Sequence, residues 1–218
     1  MKKILLFTIL IIVNFSFSSI THEKNTNPTK KLKEATSVEY TDVFGEPDTM
    51  FVSFNNERLM ITPEGKIYKN NKLFIDLEME DEYFEIESLY FIFEEDFIIA
   101  IYTETDMDYS GSVAKKVSLK DNKVKWTLYL GGFNMSKPLY DDKYIYVSTI
   151  RGIYKIDYSK GEFYWKFDDL YDNGKYNSFN QPIFHNDTVL IFTSKRYDQS
   201  YPDTIMIDDK NKKIILKQ

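Results

Sequence analysis

The sequence predicts an all-β chain built from repeated four-stranded units, and three observations carry that prediction. Of 218 residues, 17 are Tyr and 17 are Phe, and aromatic and β-branched side chains favour pleated, half-buried surfaces. Short apolar runs alternate with turn residues about every ten positions, the spacing of sandwiches, barrels and propellers. From Phe93 onward the chain also repeats itself, as laid out below.

The N-terminus has the three parts of a secretory leader. Lys2 and Lys3 form a positive start, Ile4 to Val13 is apolar apart from Thr8, and Ser16-Phe17-Ser18 supplies small residues for cleavage. Residues 1–18 are therefore expected to be a signal peptide, cut after Ser18 or Ser19. The apolar run is shorter than the ~20 residues of a membrane-spanning helix; an uncleaved anchor is the alternative. No later run is long and apolar enough to span a bilayer. Residues 19–36 are polar, with Pro28 and several Lys, and read as a flexible spacer. The folded domain is expected over 37–218, in a periplasmic or secreted setting.

Three segments open alike. FEEDFIIAIYT starts at Phe93, YDDKYIYVST at Tyr140 and FHNDTVLIFTS at Phe184. Each places an aromatic before a short polar turn and a β run. A second block follows each one. VSLKDNKVKW runs from Val117 to Trp126, IDYSKGEFYW from Ile156 to Trp165, and IDDKNKKIIL from Ile207 to Leu216. These read as strand, tight turn, strand, with Asn122 and Gly161 at equivalent turn positions that tolerate positive φ. Four strands in about 45 residues is the size of a propeller blade. The predicted architecture is a small β-propeller of about four four-stranded blades, at 49–77, 86–129, 133–167 and 178–217. Ser37 to Phe44 is expected to add a strand that closes the ring or covers an edge. Trp126 and Trp165, recurring at one repeat position, are expected between blades.

Gly152-Ile-Tyr-Lys-Ile-Asp157 followed by Gly161 and Trp165 resembles the PQQ-like β-propeller repeat, and Ser118, Asn122 and Trp126 fit a second copy in part. The resemblance covers 113–217 clearly and 86–217 loosely. It implies fold and not activity, because the repeat is structural. The family holds quinone-dependent dehydrogenases and noncatalytic envelope-assembly propellers, usually of seven or eight blades. Small exported propellers of this kind are also similar to immunity proteins that neutralise antibacterial toxins.

The formal charge is −6, and losing the leader removes Lys2 and Lys3 and no acid. That balance excludes the electrostatic footprint of a nucleic-acid binder. The absence of Cys excludes disulfides, thiol catalysis, Cys-based zinc sites and lipidation. Of two His, His22 lies in the spacer and His185 in a turn, so neither suggests a zinc site or a triad. Asp106-Met-Asp108-Tyr-Ser110-Gly111 matches the first half of a calcium loop. Val117 stands where the bidentate Glu belongs, so an ordinary loop with at most weak calcium binding is expected. Acids recur from Glu78 to Glu87 and from Glu94 to Asp96, as a solvated face or as a surface that steers a basic protein. No phosphate loop or nucleophile elbow is present.

The expected function is noncatalytic binding of another protein, as an immunity protein or an envelope scaffold, with no cofactor and no metal. The expected contact residues are Tyr171, Tyr176, Arg196, Tyr197 and Tyr201, on two loops rich in Tyr and charge. The alternative is a small-ligand binder or divergent quinoprotein.

Overall fold

The computed structural model describes residues 33–34, 37–41, 49–54, 56–168, 170, 179–186, 188–193 and 204–217. All regular structure among them is β. Strands β1 (Lys33–Glu34) and β2 (Ser37–Thr41) precede four antiparallel sheets, each strung in chain order. The first holds β3 (Thr49–Phe54), β4 (Glu57–Ile61), β5 (Lys66–Lys69) and β6 (Lys72–Asp76). The second holds β7 (Glu85–Glu94), β8 (Phe97–Thr105), β9 (Ser110–Ser118) and β10 (Val124–Leu130). The third holds β11 (Leu139–Tyr140), β12 (Tyr144–Ser148), β13 (Ile153–Asp157) and β14 (Glu162–Phe167). The fourth holds β15 (Ile183–Asn186), β16 (Val189–Thr193), β17 (Thr204–Asp208) and β18 (Lys213–Lys217). β2 lies beside β3, and β1 beside β7, so the first two sheets gain a fifth strand each.

Local chemistry closes each hairpin. Asn122, Gly161 and Lys212 hold equivalent turn positions at φ of 53°, 72° and 53°. Asn and Gly reach that region at little cost, whereas Lys does not. The first sheet instead turns through Asn70 and Asn71, at 51° and 60°, the two positive φ values of a two-residue hairpin whose twist suits its strands. Each sheet has a register shift where its third and fourth strands pair.

Alternation along the strands sends successive residues to opposite faces, and the sheets stack through those faces. In β8, Ile98, Ala100 and Tyr102 join a core with Val52, Leu59, Ile61 and Ile75 of the first sheet. Ile99 and Ile101 join a second core with Ile145, Val147 and Ile156 of the third. Tyr146, Ile153 and Trp165 turn to the fourth sheet and meet Leu190, Phe192, Ile205 and Ile207. The second and third sheets are thus covered on both faces. This is the blade packing of a β-propeller, with three joints between four blades.

The fourth blade departs from the equal spacing suggested by the three opening segments at Phe93, Tyr140 and Phe184. Pairing shifts between Phe184 and Asn186, so Leu190 takes the place held by Ile145 and Ile98. The extra residue is absorbed by that irregularity, and the apolar face stays inward.

The Trp residues occupy the joints, as their recurrence suggested. Trp126 donates Nε1–H to the Tyr158 carbonyl of the next blade at 3.1 Å, and Trp165 donates to Asp209 at 2.7 Å. A Cβ on Gly161 would collide with the Trp126 ring, so that turn needs Gly for space as well as for φ. Beside each Trp stands a buried Lys on the neighbouring strand. Lys116 pairs with Glu94 at 3.0 Å and lies over Phe97. Lys155 bonds both oxygens of Asp209 at 2.8 and 2.6 Å and lies against the rings of Tyr144, Tyr146 and Tyr164.

A prediction follows from Asp209, which serves both Lys155 and Trp165. Asp209→Ala leaves a buried ammonium and an indole N–H without their acceptor, at a cost of about 3 kcal/mol. Adding Lys155→Met, the residue type that Met206 supplies at this position in the fourth blade, recovers part of that loss. Urea unfolding of the three proteins checks both statements.

Candidate functional site

A site can be built from the second blade outward. Its β8–β9 connection, Asp106 to Tyr109, is held by one side chain: Asp106 Oδ1 accepts the backbone N–H groups of Asp108 and Tyr109, both at 2.7 Å. Thr105 Oγ1 bonds Ser110 Oγ at 2.8 Å across its base. The half calcium motif is therefore a self-capped turn, with the Asp106 carboxylate engaged by backbone donors. Among the described residues no cluster of acids or His has metal-binding geometry.

This turn forms a ridge between two hollows. On one side lie Tyr83, Glu85, Thr105 and Met107. On the other a hollow of about 670 Å³ is lined by Tyr109, Tyr129, Gly131, Phe133, Ile150 and Arg151. Asp108 borders both. Met107 is fully exposed at the crest, and Tyr83 (74%), Tyr129 (54%) and Tyr109 (47%) stand out around it. Large apolar side chains left in water together, rather than singly, mark interaction surfaces. The rings are positioned, not loose. Tyr109 stacks on Phe84 at 5.5 Å between centroids, and its ring lies over Gly111, where a Cβ would strike it.

Beneath the ridge is a buried polar group. Glu104 is 1% exposed and its Oε1 has no protein partner; the Tyr102 hydroxyl has none either. Burial pushes the Glu104 carboxyl up to about 7, opposed by the Lys115 charge and helped by Glu80. Burial likewise raises Tyr102, with Glu104 adding to it. Lys115 donates to the Leu77 and Glu78 carbonyls of the first blade, at 2.8 and 2.6 Å. Its ammonium is pulled down by burial, against the charges of Glu104, Glu78, Glu80 and Asp76. Tyr109 and Tyr129 are both raised, first by burial and then by Glu80 and Glu104.

The five contact residues expected from sequence, Tyr171, Tyr176, Arg196, Tyr197 and Tyr201, lie outside the described residues, as does His22. His185 is exposed in β15. The acids Glu78, Glu80, Asp81, Glu82 and Glu85 are exposed on the approach to the ridge. Sequence reasoning missed Met107 and Tyr109 because it weighed their segment only as a weak calcium motif or an ordinary loop, and Tyr129 because it stands in another strand. The signal available was Met and Tyr alternating with Asp in a hairpin loop.

Fold and site together define a β-propeller-type chain with an aromatic, acid-rimmed ridge on one blade. No protein-family model and no curated protein matches the sequence. Among solved structures, the crystal structure of BamB from Moraxella catarrhalis is similar at 11% identity, over 86% of this chain and 67% of that one, with a TM-score of 0.38.

Glu104 gives a pH prediction with a definite sign. Its folded pKa lies above its ordinary 4.5, so the folded state holds the extra proton between the two values. Stability then falls as pH rises from about 4.5 through about 7, by up to roughly 3 kcal/mol. Glu104→Gln removes that fall. Urea unfolding at pH 5 and pH 8 should show wild type weakening on the basic side by more than the variant does.

Proposed function

We propose that the chain is an exported, noncatalytic β-propeller that binds another protein through the β8–β9 ridge. The observation that carries this reading is the grouping of Met107, Tyr83, Tyr109 and Tyr129, all exposed, around a turn locked by Asp106. Tyr anchors on a rigid support bind with little loss of side-chain freedom. Glu85, Asp106 and Asp108 rim the same surface, so the partner presents an apolar patch flanked by Lys or Arg. Opposite charge steers such an encounter and makes it sensitive to salt.

The polar groups at the site support a noncatalytic role. Asp106 is committed to the backbone of its own turn. Glu104 is buried beneath the blade surface and faces Lys115. The leader-like start, Lys2 to Ser18, supports a periplasmic or secreted setting. Within this reading, an immunity protein against an exported toxin and an envelope scaffold differ only in the partner's identity.

Capture from secreted and envelope fractions of the source cell, with the tagged chain as bait, tests the reading. One stoichiometric protein is expected, released by raised salt. Met107→Asp and Tyr129→Ala should each weaken its capture at least tenfold while leaving the circular dichroism spectrum unchanged. Equal capture by both variants, or no enriched protein, contradicts the proposal.

A further inference from the structure

The three joints are built from two kinds of face, and the chain carries one unmated face of each kind. Toward the following blade, two of the three joints present a cross-strand row with Lys and Trp: Ile99–Lys116–Trp126 in the second blade and Tyr146–Lys155–Trp165 in the third. The corresponding row of the fourth blade is Ile191–Met206–Leu216. Toward the preceding blade, the rows are Ile98–Val117–Val124 in the second blade and Ile145–Ile156–Phe163 in the third, both within cores. On the outward face of the first blade the row, counted from its first strand, is Phe51–Met60–Tyr68, and it continues to the exposed Leu73 of its fourth strand. Apart from Leu73, the residues of these two end rows are only partly buried, and none belongs to a core cluster.

The end rows have changed together. Where the joints after the second and third blades place Lys and Trp against polar acceptors, the fourth blade offers Met206 and Leu216, and the first blade offers Met60 and Tyr68. Both rows are mostly apolar, with Arg58 lying over the Phe51 ring at 3.8 Å on the first blade.

We infer that a second copy of this chain covers these faces head to tail, the Ile191–Met206–Leu216 row of one copy packing on the Phe51–Met60–Tyr68 row of the other. Two such contacts close a pair with two-fold symmetry. Closure of a single chain on itself is opposed by β1 and β2. They add to the first-strand edges of the second and first blades, the edges that meet at the axis of a closed ring, and each needs about 4.8 Å there. Four strands by five residues give each face roughly 19 by 17 Å. Two contacts per copy then approach the ~800 Å² per partner of a standard interface.

Sedimentation of the exported chain at micromolar concentration should give twice the chain mass. Met206→Asp and Met60→Asp stand on partly exposed faces and should keep the native circular dichroism spectrum. Each alone breaks both contacts and should weaken pairing at least tenfold. Mixed in equal amounts, the two variants retain one intact contact and should pair again. A wild-type monomer at every concentration, or variants that pair alone or fail to pair when mixed, overturns the inference. Because the chain has no Cys, Met60→Cys with Met206→Cys gives a second measurement. On oxidation a disulfide-linked dimer is expected, and a disulfide within one chain overturns the inference. Neither experiment depends on the ridge or its partner.

Discussion

The fold rests on the requirement that a sheet apolar on both faces be covered on both faces. A solvated sheet alternates apolar with polar residues, but β8 buries Ile98 through Glu104 without a break. Such a strand has no water-facing side and is stable only between two neighbours. Stacking in chain order meets that requirement with short connections. It also explains why the middle sheets hold the largest buried rings, Tyr102, Tyr146 and Tyr154.

Apolar stacking alone does not fix the angle or register at a joint, because dispersion contacts are not directional. The Trp and Lys groups add direction. Each indole N–H meets a single acceptor on the next blade, and each Lys is surrounded by rings and a carboxylate. A buried charge is costly unless it is paired, so these groups penalise slipped arrangements more than they stabilise the native one. At the ends of the chain the same positions are apolar, which leaves docking there less directional than inside.

Much of this was legible in the sequence. Short apolar runs between turn residues marked the strands, and turn chemistry at Asn122 and Gly161 placed two of their hairpins. Lys212 was not legible as a positive-φ residue, because Lys has no preference for that region and is held there by the hairpin around it. The one-residue offset at Phe184 was hidden too, since an irregular pairing leaves no mark in composition. Lys115 and Lys116 show the sharpest limit. In sequence, adjacent lysines in Val-Ala-Lys-Lys-Val read as a solvated strand, yet both are buried: Lys115 reaches the Leu77 and Glu78 carbonyls of the first blade, and Lys116, on the opposite face, pairs with Glu94 of its own blade near the Tyr158 ring of the third. The ridge required knowing that Met107 and Tyr129, far apart in sequence, stand at the same end of one sheet.

The chain has two Trp residues, both at blade joints, and this makes the stacking directly observable. In Trp126→Phe, the remaining Trp165 is 6% exposed between the third and fourth blades. Acrylamide quenching of its fluorescence is the measurement to make. Stacked blades predict blue-shifted emission, resistant to quencher until the whole domain unfolds. Emission and quenching like those of free tryptophan in the folded protein would contradict face-to-face stacking.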